Sequence, residues 1–109
     1  MADSVDLLQG TLDLLILKTL ALAPMHGWAI SKRVRQLSSD ALQVNQGSLY
    51  PALYRLEDKG WLTSSPGTSP DGRAVKIYRL TPAGRRAYAT EESTWRAFTL
   101  AVDQVLSAT

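Results

Sequence analysis

Residues 46–61 read QGSLYPALYRLEDKGW, and the two sides of the helix they form decide how the rest of the chain must be arranged. Leu49, Leu53 and Leu56 recur at i, i+4 and i+7, which stacks them on one side. The side left outward carries Gln46, Gly47, Ser48, Tyr50, Pro51, Tyr54 and Arg55. An ordinary solvated helix face is rich in Glu and Lys; this one offers small residues, amides, hydroxyls and aromatics. Small residues let a helix approach a surface closely, and Tyr, Ser, Gln and Arg bond phosphate oxygens or base edges. The face is suited to reading a nucleic acid.

How this helix begins is open from sequence. Asn45 caps it if the helix runs through Pro51, whose ring then meets the Gly47 carbonyl. Ser48 caps it if Pro51 belongs to the first turn, where a missing N–H costs nothing. An irregular start at Asn45 or Gln46 that tightens near Pro51 is the preferred reading. Lys59 and Gly60 supply the last-turn cation and the terminal glycine.

Working outward, the segment after Gly60 reads as a two-stranded ribbon. Trp61 to Ser65 is the outgoing strand, Pro66 to Gly72 is turn chemistry with almost nothing to bury, and Ala74 to Thr81 returns. Tyr78 and Leu80 share one side of the returning strand, with Lys76 aligned further out. A ribbon with a polar tip flanked by Arg73 and Lys76, placed beside a reading helix, is a wing. Thr81-Pro82 then starts a long helix to about Leu106, cap followed by proline. On it Tyr88, Trp95 and Val102 repeat every seven residues, and Phe98 and Val105 do so one position over, a coiled-coil-like seam.

Upstream, a helix is expected from near Thr11 as N-cap, with Asp13 in its first turn, to just before Pro24. Leu12, Leu14, Leu15, Ile16, Leu17 and Leu20 cover nearly its whole circumference, and Leu7 and Leu8 precede it. A helix apolar all round must be covered all round, so one side is expected to meet a second chain. A second helix spans Gly27 or Trp28 to about Leu37, with Ile30, Val34 and Leu37 inward and Lys32, Arg33 and Arg35 elsewhere. Ala41 to Val44 is expected to be a short extended segment.

The composition, 45% hydrophobic and 20% charged over 109 residues, is that of one ordinary globular domain. Net charge is +2, but its placement is uneven. Residues 32–86 carry ten basic and four acidic groups, and the rest of the chain two basic and six acidic. A basic middle with acidic flanks suits a domain that meets a polyanion on one side and its own partner on the other. There is no Cys, which removes disulfides and thiolate chemistry and fits a reducing compartment. Asp3 and Asp6 argue against a secretory signal, and the apolar stretch Leu12–Ala23 is too short to span a bilayer. A cytoplasmic protein with no membrane association is expected. His26 is the single histidine, without an Asp or Glu cluster, and reads as a capping or packing residue; no metal or cofactor is expected. Ser48 has no base and no carboxylate pair sits at useful spacing, so no enzyme is expected.

The order helix, helix, helix, ribbon, long helix is mostly α with a small β-ribbon (α+β): a winged helix-turn-helix over residues 1–81 and a C-terminal dimerisation helix over 82–109. Four segments, GTLDLLILKTL, PMHGWAI, QGSLYPALYRLEDKGWL and KIYRLTPAGR, closely resemble the PadR (phenolic-acid-decarboxylase regulator) family of bacterial transcription factors, over residues 7 to 106 and in the right order. The single short C-terminal helix resembles that family's compact branch. The resemblance implies a homodimer, a double-stranded operator with inverted half-sites, repression, and release by a small aromatic effector. Trp28 stands where the family usually has Tyr, which keeps an amphipathic aromatic and loses a phenol.

The residues expected to contact DNA are Lys32, Arg33, Gln46, Gly47, Ser48, Tyr50, Pro51, Tyr54, Arg55, Arg73 and Lys76, with Tyr54 and Arg55 the strongest candidates for base edges. The expected dimer interface is Leu7, Leu8, Leu15, Tyr88, Trp95, Phe98, Val102 and Val105, and Trp95 and Phe98 are the candidates for an effector cavity. The competing reading is a winged-helix module whose reading helix docks a protein; the basic middle of the chain argues against it.

Overall fold

The computed structural model describes residues 9–109, so Leu7 and Leu8 lie outside the described residues. The order is α1 (Gln9–Leu22), β1 (Met25–His26), α2 (Gly27–Leu37), α3 (Gln46–Asp58), β2 (Leu62–Thr68), β3 (Ala74–Leu80) and α4 (Pro82–Leu106). The three strands form one antiparallel sheet in the order β1-β3-β2. The four-helix, one-ribbon reading therefore holds, with a third strand added.

That strand, β1, pairs Met25 with Tyr78 and His26 with Ile77. Two residues are too short to show period-two alternation, so only the packing of α1 and α2 against the ribbon reveals it. The ribbon is also longer than its composition suggests. Pro66, Gly67 and Thr68 belong to β2 and pair with Lys76, Val75 and Ala74. Pro66 is tolerated because β2 is an edge strand, where a missing N–H leaves no partner unserved. The turn is confined to the tip, closed by Ser69 N–H to the Arg73 carbonyl at 2.8 Å and Gly72 N–H to the Ser69 carbonyl at 2.9 Å. Ala41–Val44 forms no strand; Val44 is buried and its carbonyl accepts the Ser31 hydroxyl at 3.0 Å.

The core joins Leu12, Ile16, Leu17 and Leu20 of α1 with Ile30, Val34, Leu49, Leu53, Leu56, Leu62, Tyr78 and Leu80. Burying these side chains at roughly 1.5–3 kcal/mol each is the main force holding the elements together. α1 is thus the central helix, and its expected exposed side is reduced: Leu15 is half-buried and packs on the core of its own chain. Thr11 is not its cap, because the helix already includes Gln9. Asp13 is not a first-turn anion either; it is buried and bonded to Arg55. Leu37, expected inward on α2, is exposed at the last turn.

The helix ends follow local chemistry. His26 caps α2, its Nδ1 accepting the Ala29 N–H at 3.2 Å, and Thr81 caps α4, its Oγ1 accepting the Gly84 N–H at 3.0 Å. α3 closes with the Gly60 N–H on the Glu57 carbonyl and the Trp61 N–H on the Leu56 carbonyl. This double bond pattern needs a left-handed residue at Gly60, whose φ is +78°, a region a side chain disfavours. The start of α4 then lies against that loop: Thr81 N–H bonds the Trp61 carbonyl at 3.0 Å and Thr81 Oγ1 bonds the Gly60 carbonyl at 2.6 Å.

The two ends of α4 differ. Tyr88, expected on the seam, is half-buried against its own chain's core, with the Lys18 ammonium 5.8 Å from its ring and its hydroxyl donating to Glu92 at 3.2 Å. Beyond it Trp95, Phe98, Leu100, Val102, Val105 and Leu106 are all exposed.

Candidate nucleic-acid interface

Helix α3 is capped by Asn45, whose Oδ1 accepts the Ser48 N–H at 2.9 Å. The helix runs unbroken through Pro51, which lies one turn in. Pro51 donates no hydrogen bond to the Gly47 carbonyl, and a tight first turn accompanies it, with Ser48 N–H also 3.2 Å from the Asn45 carbonyl. Leu49, Ala52, Leu53 and Leu56 are buried. Gln46, Gly47, Ser48, Pro51 and Tyr54 remain exposed. The outward face read from sequence is therefore present, without Arg55.

Arg55 turns inward. Its Nη2 donates to Asp13 Oδ1 of α1 at 2.6 Å, and its Nε is buried without a partner. The residue sits on the flank of the buried stripe, next to Leu56, and a guanidinium there meets α1 before it meets solvent. Arg55 and Tyr50 are the expected DNA contacts on α3 that are half-buried, Arg55 through its ion pair with Asp13.

Between α3, the first turn of α2 and the ribbon tip lies a cleft of about 710 Å³. It gathers Lys32, Gln46, Tyr50, Tyr54, Arg73 and Lys76, six of the expected contacts, from three elements far apart in sequence. Arg33, Gly47, Ser48 and Pro51 are exposed but lie outside it. Tyr50 is half-buried, its ring resting on Gly27 where a Cβ would stand 2.9 Å away. It is a wall of the cleft fixed by packing. Tyr54 is 56% exposed, and the Lys76 ammonium sits 5.9 Å from its ring centroid, linking ribbon and helix by a cation–π contact. Buried beneath, Tyr78 closes the floor. Burial first, and then the nearby Glu57 carboxylate, push its phenol up from its ordinary value, so it stays protonated at neutral pH.

Among the described residues Asp71 is the sole carboxylate lining the cleft, and Arg73 holds it at 3.3 Å at the ribbon tip. The Ser69 hydroxyl first, and Arg73 with it, lower its pKa. Other residues of the cleft were not expected as contacts, His26 and Trp28 among them. Trp28 offered a signal, since an aromatic in the first turn of α2 falls off the Ile30–Val34 stripe. His26 offered none beyond its capping position. Among the described residues no group of three or more His, Cys, Asp or Glu is placed to hold a metal ion, and no helix is long and apolar enough to cross a membrane.

Comparison with known proteins agrees with this architecture. The family model of the PadR-like transcriptional regulators matches residues 16–90. An uncharacterized protein of Lysinibacillus sphaericus is 31% identical over 79% of this chain and 78% of its own length. A transcriptional regulator of Mycobacterium tuberculosis is 49% identical over 53 residues, 49% of each chain. Among solved structures, a PadR family transcription regulator from Clostridium difficile superposes with a TM-score of 0.75 at 30% identity, over 88% of this chain and 98% of that one. A transcriptional regulator from Clostridium thermocellum gives 0.80 at 27% identity, over 88% and 93%.

Proposed function

The chain belongs to the PadR-like family of transcriptional regulators, and we propose that it acts as a homodimeric repressor that binds a specific double-stranded operator and is released by a small aromatic ligand. The observation that carries DNA reading is the cleft itself, where the exposed end of α3 and the ribbon tip converge with Lys32, Arg73 and Lys76 around Gln46 and Tyr54. Helix α3 enters the major groove, with Gln46, Gly47, Ser48, Pro51 and Tyr54 against base edges and backbone. The ribbon grips the flanking backbone, and Arg33 and Lys32 position the domain without reading sequence.

Dimerisation is supported by the far half of α4. Phe98 is 58% exposed and Val105 73% on the same half of the helix, apolar surface of the kind that marks an interaction site. A second copy packed along Trp95, Phe98, Val102 and Val105 covers it and sets two reading helices on one face. Trp95 and Phe98 lie 6.1 Å apart with rings tilted by 39°. A flat ligand between Trp95 and its symmetry mate gains stacking and apolar burial, and a changed angle between subunits no longer fits the operator's fixed half-site spacing. Such a ligand must bind the non-operator form more tightly, since equal affinity shifts nothing.

Selection of bound duplexes from a random pool tests the reading. The expected product is an inverted repeat with half-sites about 10 base pairs apart, centre to centre. A pool with no enrichment at low salt refutes it.

A further inference from the structure

Trp28 projects from the first turn of α2 with 55% of its surface exposed, at the rim of the cleft opposite the ribbon. Its ring is held on two sides. The His26 ring stacks beside it at 6.4 Å between centroids and 13° between planes. The Lys32 ammonium, one turn on, lies 5.1 Å from its centroid. Because His26 Nδ1 accepts the Ala29 N–H, a neutral His26 carries its proton on Nε2, which makes that nitrogen a donor. The cluster thus combines an apolar ring face, an indole N–H and a neighbouring cation.

A packed core has no use for such an exposed platform, and a solvated helix end does not need an indole. Across the cleft Arg73 and Lys76 present the second set of cations, with one carboxylate, Asp71, already paired to Arg73. The cleft is therefore cationic on both rims and aromatic within. We propose that Trp28, steadied by His26 and Lys32, clamps the sugar-phosphate backbone of the strand that passes between helix α3 and the ribbon, so that α2 and the ribbon hold one strand from opposite sides. The indole N–H and Lys32 meet a phosphate and the ring face meets deoxyribose carbons. The contact carries no base information, because only backbone atoms are common to every sequence. This inference rests on the DNA-reading function proposed above.

The test is a fluorescence-anisotropy titration of the full chain against its selected operator and against a random duplex, at several salt concentrations. Trp28→Ala is expected to weaken both by the same factor, roughly tenfold, the scale of one hydrogen bond to a charged group. Trp28→Tyr, which keeps a ring and a donor, should recover most of the loss. In a W61F/W95F background the remaining Trp28 emission should change on adding either duplex. If Trp28→Ala leaves both affinities unchanged, or weakens the operator alone, the clamp is wrong while operator binding by the wild type still stands. If the wild type binds neither duplex at low salt, the DNA-reading function falls and the clamp with it. An unchanged melting profile of Trp28→Ala by circular dichroism, expected for so exposed a side chain, excludes misfolding as the source of any loss.

Discussion

Removing Asp13 separates two roles that Arg55 can have. The Asp13 side chain is 13% exposed and that of Arg55 30%, and they meet at 2.6 Å between α1 and α3. Deleting one member of a fully buried pair costs about 3–5 kcal/mol, because the other is left charged and uncompensated. An exposed pair is worth about 0–1 kcal/mol. This pair lies nearer the buried limit on the Asp13 side and is partly wet on the Arg55 side, so Asp13→Asn should cost about 2–3 kcal/mol. Arg55 Nε is already without a partner, so losing the Asp13 carboxylate adds a second unmet donor on the buried side of the guanidinium. At about 4–8 °C per kcal/mol for a chain of this size, the melting temperature should fall by roughly 10–20 °C. The assay is urea and thermal unfolding followed by circular dichroism, at one fixed protein concentration because dimerisation contributes by mass action. Arg55→Met should destabilise similarly, and Asp13→Leu with Arg55→Met should recover most of the loss, since apolar replacement of a whole buried pair is often neutral or better. If Asp13→Asn costs less than about 0.5 kcal/mol, or Arg55→Met abolishes operator binding without lowering stability, then Arg55 faces DNA as its position in sequence suggested and the ion pair is incidental.

Other outcomes follow from single side chains. Gly84→Ala should destabilise by more than the roughly 1–3 kcal/mol usual for overpacking, measured by urea unfolding, because a Cβ would stand 2.0 Å from the Trp61 carbonyl oxygen. A wild-type midpoint would show that the start of α4 does not lie on that loop. Tyr54→Ala should weaken operator binding by about 1–3 kcal/mol and relax sequence preference, whereas Lys76→Ala should weaken all duplexes alike and shallow the salt dependence by about one unit. Gel-shift titrations with matched and random duplexes distinguish the two. Asp71→Asn should tighten binding to every duplex, because it frees Arg73 and removes a carboxylate from the cleft; an unchanged affinity across salt would place the ribbon tip away from DNA. Phe98→Asp should yield a folded monomer by sedimentation, and planar aromatic compounds that reduce operator binding should lose that effect in Trp95→Ala with the dimer retained.

Local chemistry is what the sequence determined on its own. The Thr81 cap, the Gly60 stop and the limits of α2 and α4 depend on residues within one turn of each other, whereas Asn45 and Ser48 both met the local rules at the start of α3 and the structure chose Asn45. Such interactions are visible in a short window. The buried face of α3 was legible for the same reason, since Leu49, Leu53 and Leu56 announce it by spacing alone. Family membership was legible too, because four separated motifs occur in fixed order.

What only the tertiary structure decided concerns partners distant in sequence. Asp13 and Arg55 are 42 residues apart, and nothing local to either says that the one lone carboxylate of α1 neutralises a guanidinium of the reading helix. β1 exists only because β3 passes beside it. Tyr88 and Leu15, both expected at the dimer interface, are half-buried against the core of their own chain, because α4 folds back on α1 and covers part of a helix whose apolar circumference alone could not say what would cover it. Trp28 joined the cleft by the same logic. Periodicity says which residues leave water, but the choice among the surfaces that receive them is made by how the whole chain packs.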